Sequence, residues 1–260
     1  MLIDSHCHLD KIDLTPYQGD FAMFMQQTHA QNIEHLLCIG IDLEAYPNMR
    51  SLVAEYQTVS VTVGVHPNVR EGCDPSVEML VSLGHDPKVV GIGETGLDYF
   101  RCSPSSDLTW QHMRFRNHIA AAKIVKKPLI IHTRDAQQDT LRLLHEENAG
   151  EVGGIIHCFT EDWAFAKQAL DMNFYISFSG IVTFNNAVDI QVVAKKMPAD
   201  RLLIETDSPY LAPVPFRGKP NYPHYVQYVA QQVANLRGIA LNQLADIATQ
   251  NFYTLFKMNG

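Results

Sequence analysis

Six residues in this 260-residue chain carry side chains that bind divalent cations well, and each stands where a short apolar run ends. They are His6 and His8 in LIDSHCH, Glu94 in VVGIGE, His132 in PLIIH, His157 in GGIIH and Asp207 in LLIETD. His66, in VTVGVH, closes another run in the same manner. Side chains alternate along a strand, so His6 and His8 face one way while Ser5 and Cys7 face the other. Two imidazoles on one face can chelate a single ion. Imidazole suits Zn²⁺, whereas carboxylate and water suit Mg²⁺ and Mn²⁺, so the mixed set is open to all three. A paired metal site acidifies water and clamps the attacking and leaving oxygens of an in-line displacement. Taken singly, a histidine at a strand end is more often a packed or capped residue than a ligand. The case rests on the set.

Positioning such a set requires strands whose ends converge. Short β-rich runs recur at 2–6, 35–40, 59–65, 89–94, 128–132, 153–159, 174–180 and 201–207. Several are nearly continuous apolar runs, which suits parallel strands covered on both faces. Between them, 21–33, 110–125, 139–148 and 163–172 carry apolar residues at helical spacing. Two more amphipathic helices, about 223–236 and 241–256, follow the Pro-rich loop LAPVPFRGKPNYP. Eight strand–helix units fit comfortably in 260 residues. The expected fold is α/β, a TIM-type (β/α)₈ barrel with room for distortion and with extra C-terminal helices, in one domain spanning 1–260. The rival is an open doubly wound sheet, but histidines stand after the first strand where a Gly-rich phosphate-binding turn would be needed. In a barrel the C-terminal strand ends rim one mouth, where active sites are found.

Composition narrows the function. With 46% hydrophobic and 18% charged residues, the chain can bury a sizeable core. A formal charge of −8 disfavours coating a long polyanion, which relies on Lys and Arg displacing counterions. It leaves room for a local basic rim gripping one phosphate. Cys7, Cys38, Cys73, Cys102 and Cys158 are scattered and never form CxxC, as expected of reduced thiols in a cytosolic protein. Cys7 and Cys158 fall on the strand face opposite the ligands and are expected in the core. Neither a signal peptide nor a run of membrane-spanning length is evident, so the expected location is cytoplasmic.

The blocks DSHCHLD, GVHP, GETGLDY, HTRDA, HCFTED, ISFSGIVTF and ETDSPYLAPVPFRGKPN, in this order, resemble the TatD family of metal-dependent deoxyribonucleases and hydrolases, within the amidohydrolase-like superfamily. The resemblance covers nearly the whole chain. It implies two divalent ions: one held by His6, His8, Glu94 and Asp207, the other by Glu94, His132 and His157, with Glu94 bridging. It further implies phosphodiester hydrolysis by an activated water, with DNA ends or oligonucleotides as substrate and trimming from the 3′ terminus. Asp207 is the candidate for orienting that water and taking its proton, with pure ligation as the rival role. Glu205, two residues away on the same strand face, is expected to orient a ligand histidine, with a plain buried acid paired with Arg134 as the rival role. His66, Tyr99, Arg134 and Arg217 are expected substrate contacts, because the planar Arg fork matches phosphate; Lys219 is a further donor. Two departures from the family pattern, Glu161–Asp162 after HCFT and Tyr222 after Asn221, touch no ligand but bear on substrate preference. The alternative is hydrolysis of a small amide, ester or lactone by the same chemistry. A purely structural metal site is disfavoured, since such sites are usually closed and four-coordinate. No protein partner is evident, and a monomer is favoured.

Overall fold

The computed structural model describes residues 1–72, 74–100, 102 and 107–258. Its strands are β1 (Leu2–Cys7), β2 (Ile33–Cys38), β3 (Val59–Val63), β4 (Val89–Asp98), β5 (Leu129–Arg134), β6 (Gly154–Ile156), β7 (Phe174–Phe178) and β8 (Leu202–Ile204). Its helices are α1 (Phe21–Ala30), α2 (Tyr46–Leu52), α3 (Val77–Gly84), α4 (Thr109–Val125), α5 (Gln137–Glu146), α6 (Trp163–Asp171), α7 (Val188–Lys196), α8 (Val226–Arg237) and α9 (Leu241–Phe256). The strands follow chain order from β1 to β8 in one parallel sheet with helices between them, the TIM-type (β/α)₈ fold class with two added C-terminal helices. The apolar runs are buried as parallel strands require: Val59, Val61 and Val63 of β3 are all within the core.

The chain divides into two compact units. The first comprises Met1–Cys38, Tyr56–Val59 and Ser177–Gly260. In it α9 packs on β1 and β8, and α8 packs on α9. The second comprises Ile39–Glu55 and Ser60–Ile176, where α4 packs on β4 and α3. Local chemistry sets the helix ends. Asp20 caps α1 by accepting from the backbone of Ala22 and Met23, Asp162 caps α6 through Phe165, and Gly238 takes the left-handed turn after α8.

Strand ends differ from expectation in ways that matter for the site. β4 does not stop at Glu94 but runs to Asp98, because β5 continues the pairing through Gly96↔His132 and Asp98↔Arg134. Glu94 therefore lies mid-strand, at an irregularity between Ile92 and Thr95. β6 and β8 stop early, so His157 and Asp207 stand just beyond them. The backbone turns left-handed at Cys158 (φ 43°) and Asp207 (φ 55°). Gly96 is required where it stands: a Cβ there would lie 2.0 Å from the carbonyl oxygen of His132.

Candidate metal centre

In the first unit, β1 delivers His6 into the core and His8 just past its end. The Asp207 amide donates to the His6 carbonyl (2.9 Å), and the His8 amide donates to the Ser208 carbonyl (2.8 Å). These bonds zip the segment after β8 onto the end of β1. Asp207 Oδ1 then lies 3.3 Å from His8 Nε2 and 3.6 Å from His6 Nε2. The three residues offer ligand atoms within 4.8 Å of one another, so the expected i, i+2 pair with Asp207 is brought together. Glu205, fully buried, offers an oxygen within 4.8 Å of a His6 ring nitrogen. Asp4 is placed deeper on β1, where it accepts from the Thr206 amide (2.8 Å) and hydroxyl and from the His6 amide. Burial pushes its carboxyl well above the ordinary range even against those bonds.

In the second unit, Glu94 Oε1 meets three imidazoles: His157 Nε2 at 2.8 Å, and His66 Nε2 and His132 Nδ1 at 3.3 Å each. Burial would raise the Glu94 carboxyl, but the charges of His157 and His66 and the hydrogen bonds of His132 and His157 carry it well below its ordinary value. His132 donates from Nε2 to Asp98 Oδ2 (3.0 Å), which turns Nδ1 toward Glu94. A carboxylate behind an imidazole fixes its tautomer and raises its basicity as a ligand. Burial opposes the charged His132, yet the bonds from Asp98 and Glu94 leave its pKa raised. Asp98 falls to about 2: burial is outweighed by His132 and by the Asn68 amide at 2.7 Å. His66 joins Glu94 and His132 as a second trio of ligand atoms within 4.8 Å. Its Nδ1 accepts from the Asn68 amide (3.0 Å), which leaves Nε2 on the Glu94 side. Both clusters pair imidazole nitrogens with carboxylate oxygens in buried surroundings, a donor set that fits divalent cations.

The remaining expected contacts divide. Arg134 is exposed, and its guanidinium lies over the Phe100 ring at 3.6 Å with no hydrogen bond or ion pair among the described residues. Arg217 is likewise exposed and stacks over Phe184 at 4.3 Å, with Lys219 nearby in sequence and also exposed. The Tyr99 hydroxyl is already engaged, donating to Asp139 (2.8 Å) and meeting His112 Nε2 (2.6 Å). Tyr222 is in packing, its ring edge-on to Tyr17 and its hydroxyl donating to the Asp13 carbonyl. Glu161 is buried and accepts from Gln137, while Asp162 serves as a helix cap. Cys7 is fully buried and donates to the Leu37 carbonyl, as expected, but Cys158 is only half-buried because the left-handed turn swings it off the strand. Cys73 lies outside the described residues, and the other four cysteines form no disulfide among the described residues.

Three positioning residues escaped the sequence reading. Asp98 had a visible signal, since Gly96–Asp98 continues the alternation of β4 beyond Glu94. Asn68 and Asn221 had none beyond a loop amide. Asn221 is fully buried and donates to the carbonyls of Thr206 (2.9 Å) and Tyr210, fastening the segment that carries Asp207.

The model of the TatD related DNase family matches residues 3–257. The chain belongs to the TatD family. The metal-dependent hydrolase YcfH of Escherichia coli K12, itself uncharacterized, is 45% identical to this TatD chain over 99% of its length and 96% of the relative's. The 3′-5′ ssDNA/RNA exonuclease TatD of Klebsiella pneumoniae is 29% identical, over 92% of this chain and 93% of that one. The crystal structure of YjjV, a TatD homolog from Escherichia coli K12, superposes with a TM-score of 0.89 at 27% identity, covering 99% of this chain and 98% of the other. The protein is therefore a metal-dependent hydrolase of the TatD family, with buried His, Glu and Asp groups able to bind metal. None of the helices among the described residues is long and apolar enough to cross a membrane.

Proposed function

We propose that this TatD-family hydrolase is a deoxyribonuclease that trims DNA ends from the 3′ terminus, with two divalent ions per chain. The carrying observation is Arg134: a guanidinium stacked on Phe100, with no hydrogen bond or ion pair among the described residues, two residues along β5 from His132. Such a planar fork offers paired donors to a phosphate, whereas hydrolysis of a neutral amide or ester has no use for it. The name of the Klebsiella relative supports the same substrate class.

His6, His8 and Asp207 would hold one ion, and Glu94, His132 and His157 the other. Divalent ions there supply Lewis-acid polarisation of the phosphodiester and acidification of water. The chain's own residues do the rest. Glu94 keeps its charge because imidazoles surround it. Asp98 holds His132 in the tautomer whose Nδ1 carries the lone pair. Asp207 orients the attacking water and accepts its proton at a carboxylate oxygen, while Glu205 steadies His6. His66, Arg134 and Arg217 contact the substrate, Arg134 and Arg217 at phosphates. Tyr99 contributes its ring, since its hydroxyl is committed to Asp139 and His112.

The test is to load the protein with Zn²⁺, Mn²⁺ or Mg²⁺ and supply 3′-labelled and 5′-labelled single-stranded DNA beside a panel of neutral esters and lactones. Mononucleotides released progressively from the 3′ end are expected. Turnover of esters with intact oligonucleotides would remove the nuclease reading.

A further inference from the structure

Helix α4 should be apolar where it meets the sheet, yet one stripe of its buried face is polar. Gln111, Arg114 and His118 stand at i, i+3 and i+7, one above another, with 1%, 6% and 0% of their surface exposed. All three bond backbone beside the Glu94 cluster, Arg114 pairing with the Asp74 carboxylate as well. Gln111 accepts from the Asp98 amide (2.9 Å) and donates to the Asp98 carbonyl (3.0 Å). Arg114 donates from Nη1 to the carbonyls of His66 (3.0 Å) and Val69 (2.7 Å), with its Nε on Asp74. His118 donates from Nδ1 to the Arg114 carbonyl (2.7 Å), so its Nε2 is bare and accepts from the Val65 amide (3.0 Å).

Register explains why side chains are needed there. β3 ends at Val63, whose partner is Ile92, while β4 continues six residues further to Asp98. That stretch of β4 has lost its strand neighbour on the β3 side. The Gln111 carboxamide, donating once and accepting once, replaces the missing backbone at Asp98. Arg114 and His118 do the same for the loop Val65–Val69. The two backbones so fixed carry the groups that aim His132. Asp98 Oδ2 accepts from His132 Nε2 (3.0 Å) and from Asn68 Nδ2 (2.7 Å), and the Asn68 amide in turn holds His66 Nδ1 (3.0 Å).

We propose that Gln111, Arg114 and His118 are positioning residues which, through Asp98 and Asn68, set the tautomer and aim of His132 and so the divalent-ion affinity of its cluster. This rests on the assignment of an ion to His132, but its first readout does not depend on metal. Imidazole ¹⁵N–¹H spectra of the metal-free protein report whether His132 Nε2 carries a protected proton. The variants are Gln111→Met, which keeps shape and removes both bonds, and His118→Leu beside His118→Gln, whose side-chain oxygen can replace Nε2 as acceptor for Val65. Ile119→Ala, a core deletion on the same helix, controls for lost stability.

In Gln111→Met and His118→Leu the His132 Nε2 proton is expected to lose protection, and Mn²⁺ affinity at one site to fall about tenfold or more. His118→Gln and Ile119→Ala are expected to keep both. Unchanged His132 spectra in Gln111→Met, or equal losses in Ile119→Ala, would overturn the proposal. If Gln111→Met does not fold, the His118→Leu and His118→Gln pair decides. Wild-type protein that binds no Mn²⁺ while the spectra respond as expected would sink the ion assignment and leave the positioning role standing.

Discussion

The two candidate clusters use carboxylates in opposite ways. In the first unit, Asp207 reaches two imidazoles from the side, and the nearby acid Asp4 is sealed away on Thr206 and driven toward its neutral form by burial. In the second, Glu94 sits at the meeting point of three imidazoles and is held charged, and Asp98 behind it is held charged as well. One cluster is built mainly from backbone zippering, with β1 and the Asp207–Ser208 segment bonded to each other. The other is built from a chain of side chains running from α4 through Asp98 and Asn68 to His132. The difference teaches where each is vulnerable: the first to changes in the chain path, the second to single polar substitutions well away from the ligands.

The largest expected effect comes from Glu94→Gln, which removes the charge that three imidazoles share. Metal-dependent hydrolysis should fall by about 10³-fold or more, some 4 kcal/mol of barrier, with the fold retained in circular dichroism. Full turnover in this variant would end the assignment of the second cluster.

Next is acid stability. Burial lowers His118 to about 4, below the ordinary value of 6.5, so the folded state resists protonation that the unfolded state accepts. Its contribution is fully present above pH 6.5 and is lost as pH falls from there through 4, on the order of 3 kcal/mol. Urea unfolding at pH 7 and pH 5 should show a larger drop in wild type than in His118→Gln. A drop of the same size in both would show that His118 is not buried neutral.

Asp98→Asn and Asp4→Asn set the two units against each other. Asp98→Asn loses a charge that the His132 bond stabilises, and Mn²⁺ affinity should fall roughly 10-fold to 100-fold by calorimetry. Asp4→Asn keeps an acceptor for Thr206 where the acid is already driven toward neutrality, so its affinity change should be well under that. Equal losses would erase the distinction. The smallest effect is expected at Arg217, an exposed guanidinium stacked on Phe184. Arg217→Ala should raise KM for an oligonucleotide a few-fold, about 1 kcal/mol, and leave KM for a neutral ester unchanged. The same shift for both would remove its phosphate contact.

The strands were legible because β6, β7 and β8 are nearly continuous apolar runs, and parallel strands covered on both faces leave that trace. The i, i+2 spacing of His6 and His8 survived as geometry, both rings meeting Asp207, although β1 shifts register against β2 between Asp4 and Cys7. Strand ends were less legible. β4 outran its apolar stretch, since Gly96–Asp98 is held by β5 and by Gln111 and not by its own hydrophobicity. Helices α2, α3 and α7 went unread; α2 is a single polar stretch, YPNMRSL, that buries little beyond Tyr46 and Met49. The candidate ligands stood out because their residue types are scarce donors at repeated places. Asn68, Asn221 and Gln111 could not, because an amide that fastens backbone looks in sequence like any surface amide. Helix α4 was found from its apolar spacing, but its polar stripe was invisible: charge and polarity in a helix ordinarily mean solvent, and here they mean β4 lacks a neighbour.

The left-handed backbone at Asp207 also bears on how mutational data from this centre should be designed. Aspartate and asparagine are the ordinary side chains that tolerate such a φ, so Asp207→Asn changes charge while leaving the chain path alone. An alanine at the same place adds a conformational penalty of about 1 kcal/mol to the loss of the carboxylate. An alanine scan would therefore credit Asp207 with more chemistry than it performs, and the asparagine variant supplies the fair measurement.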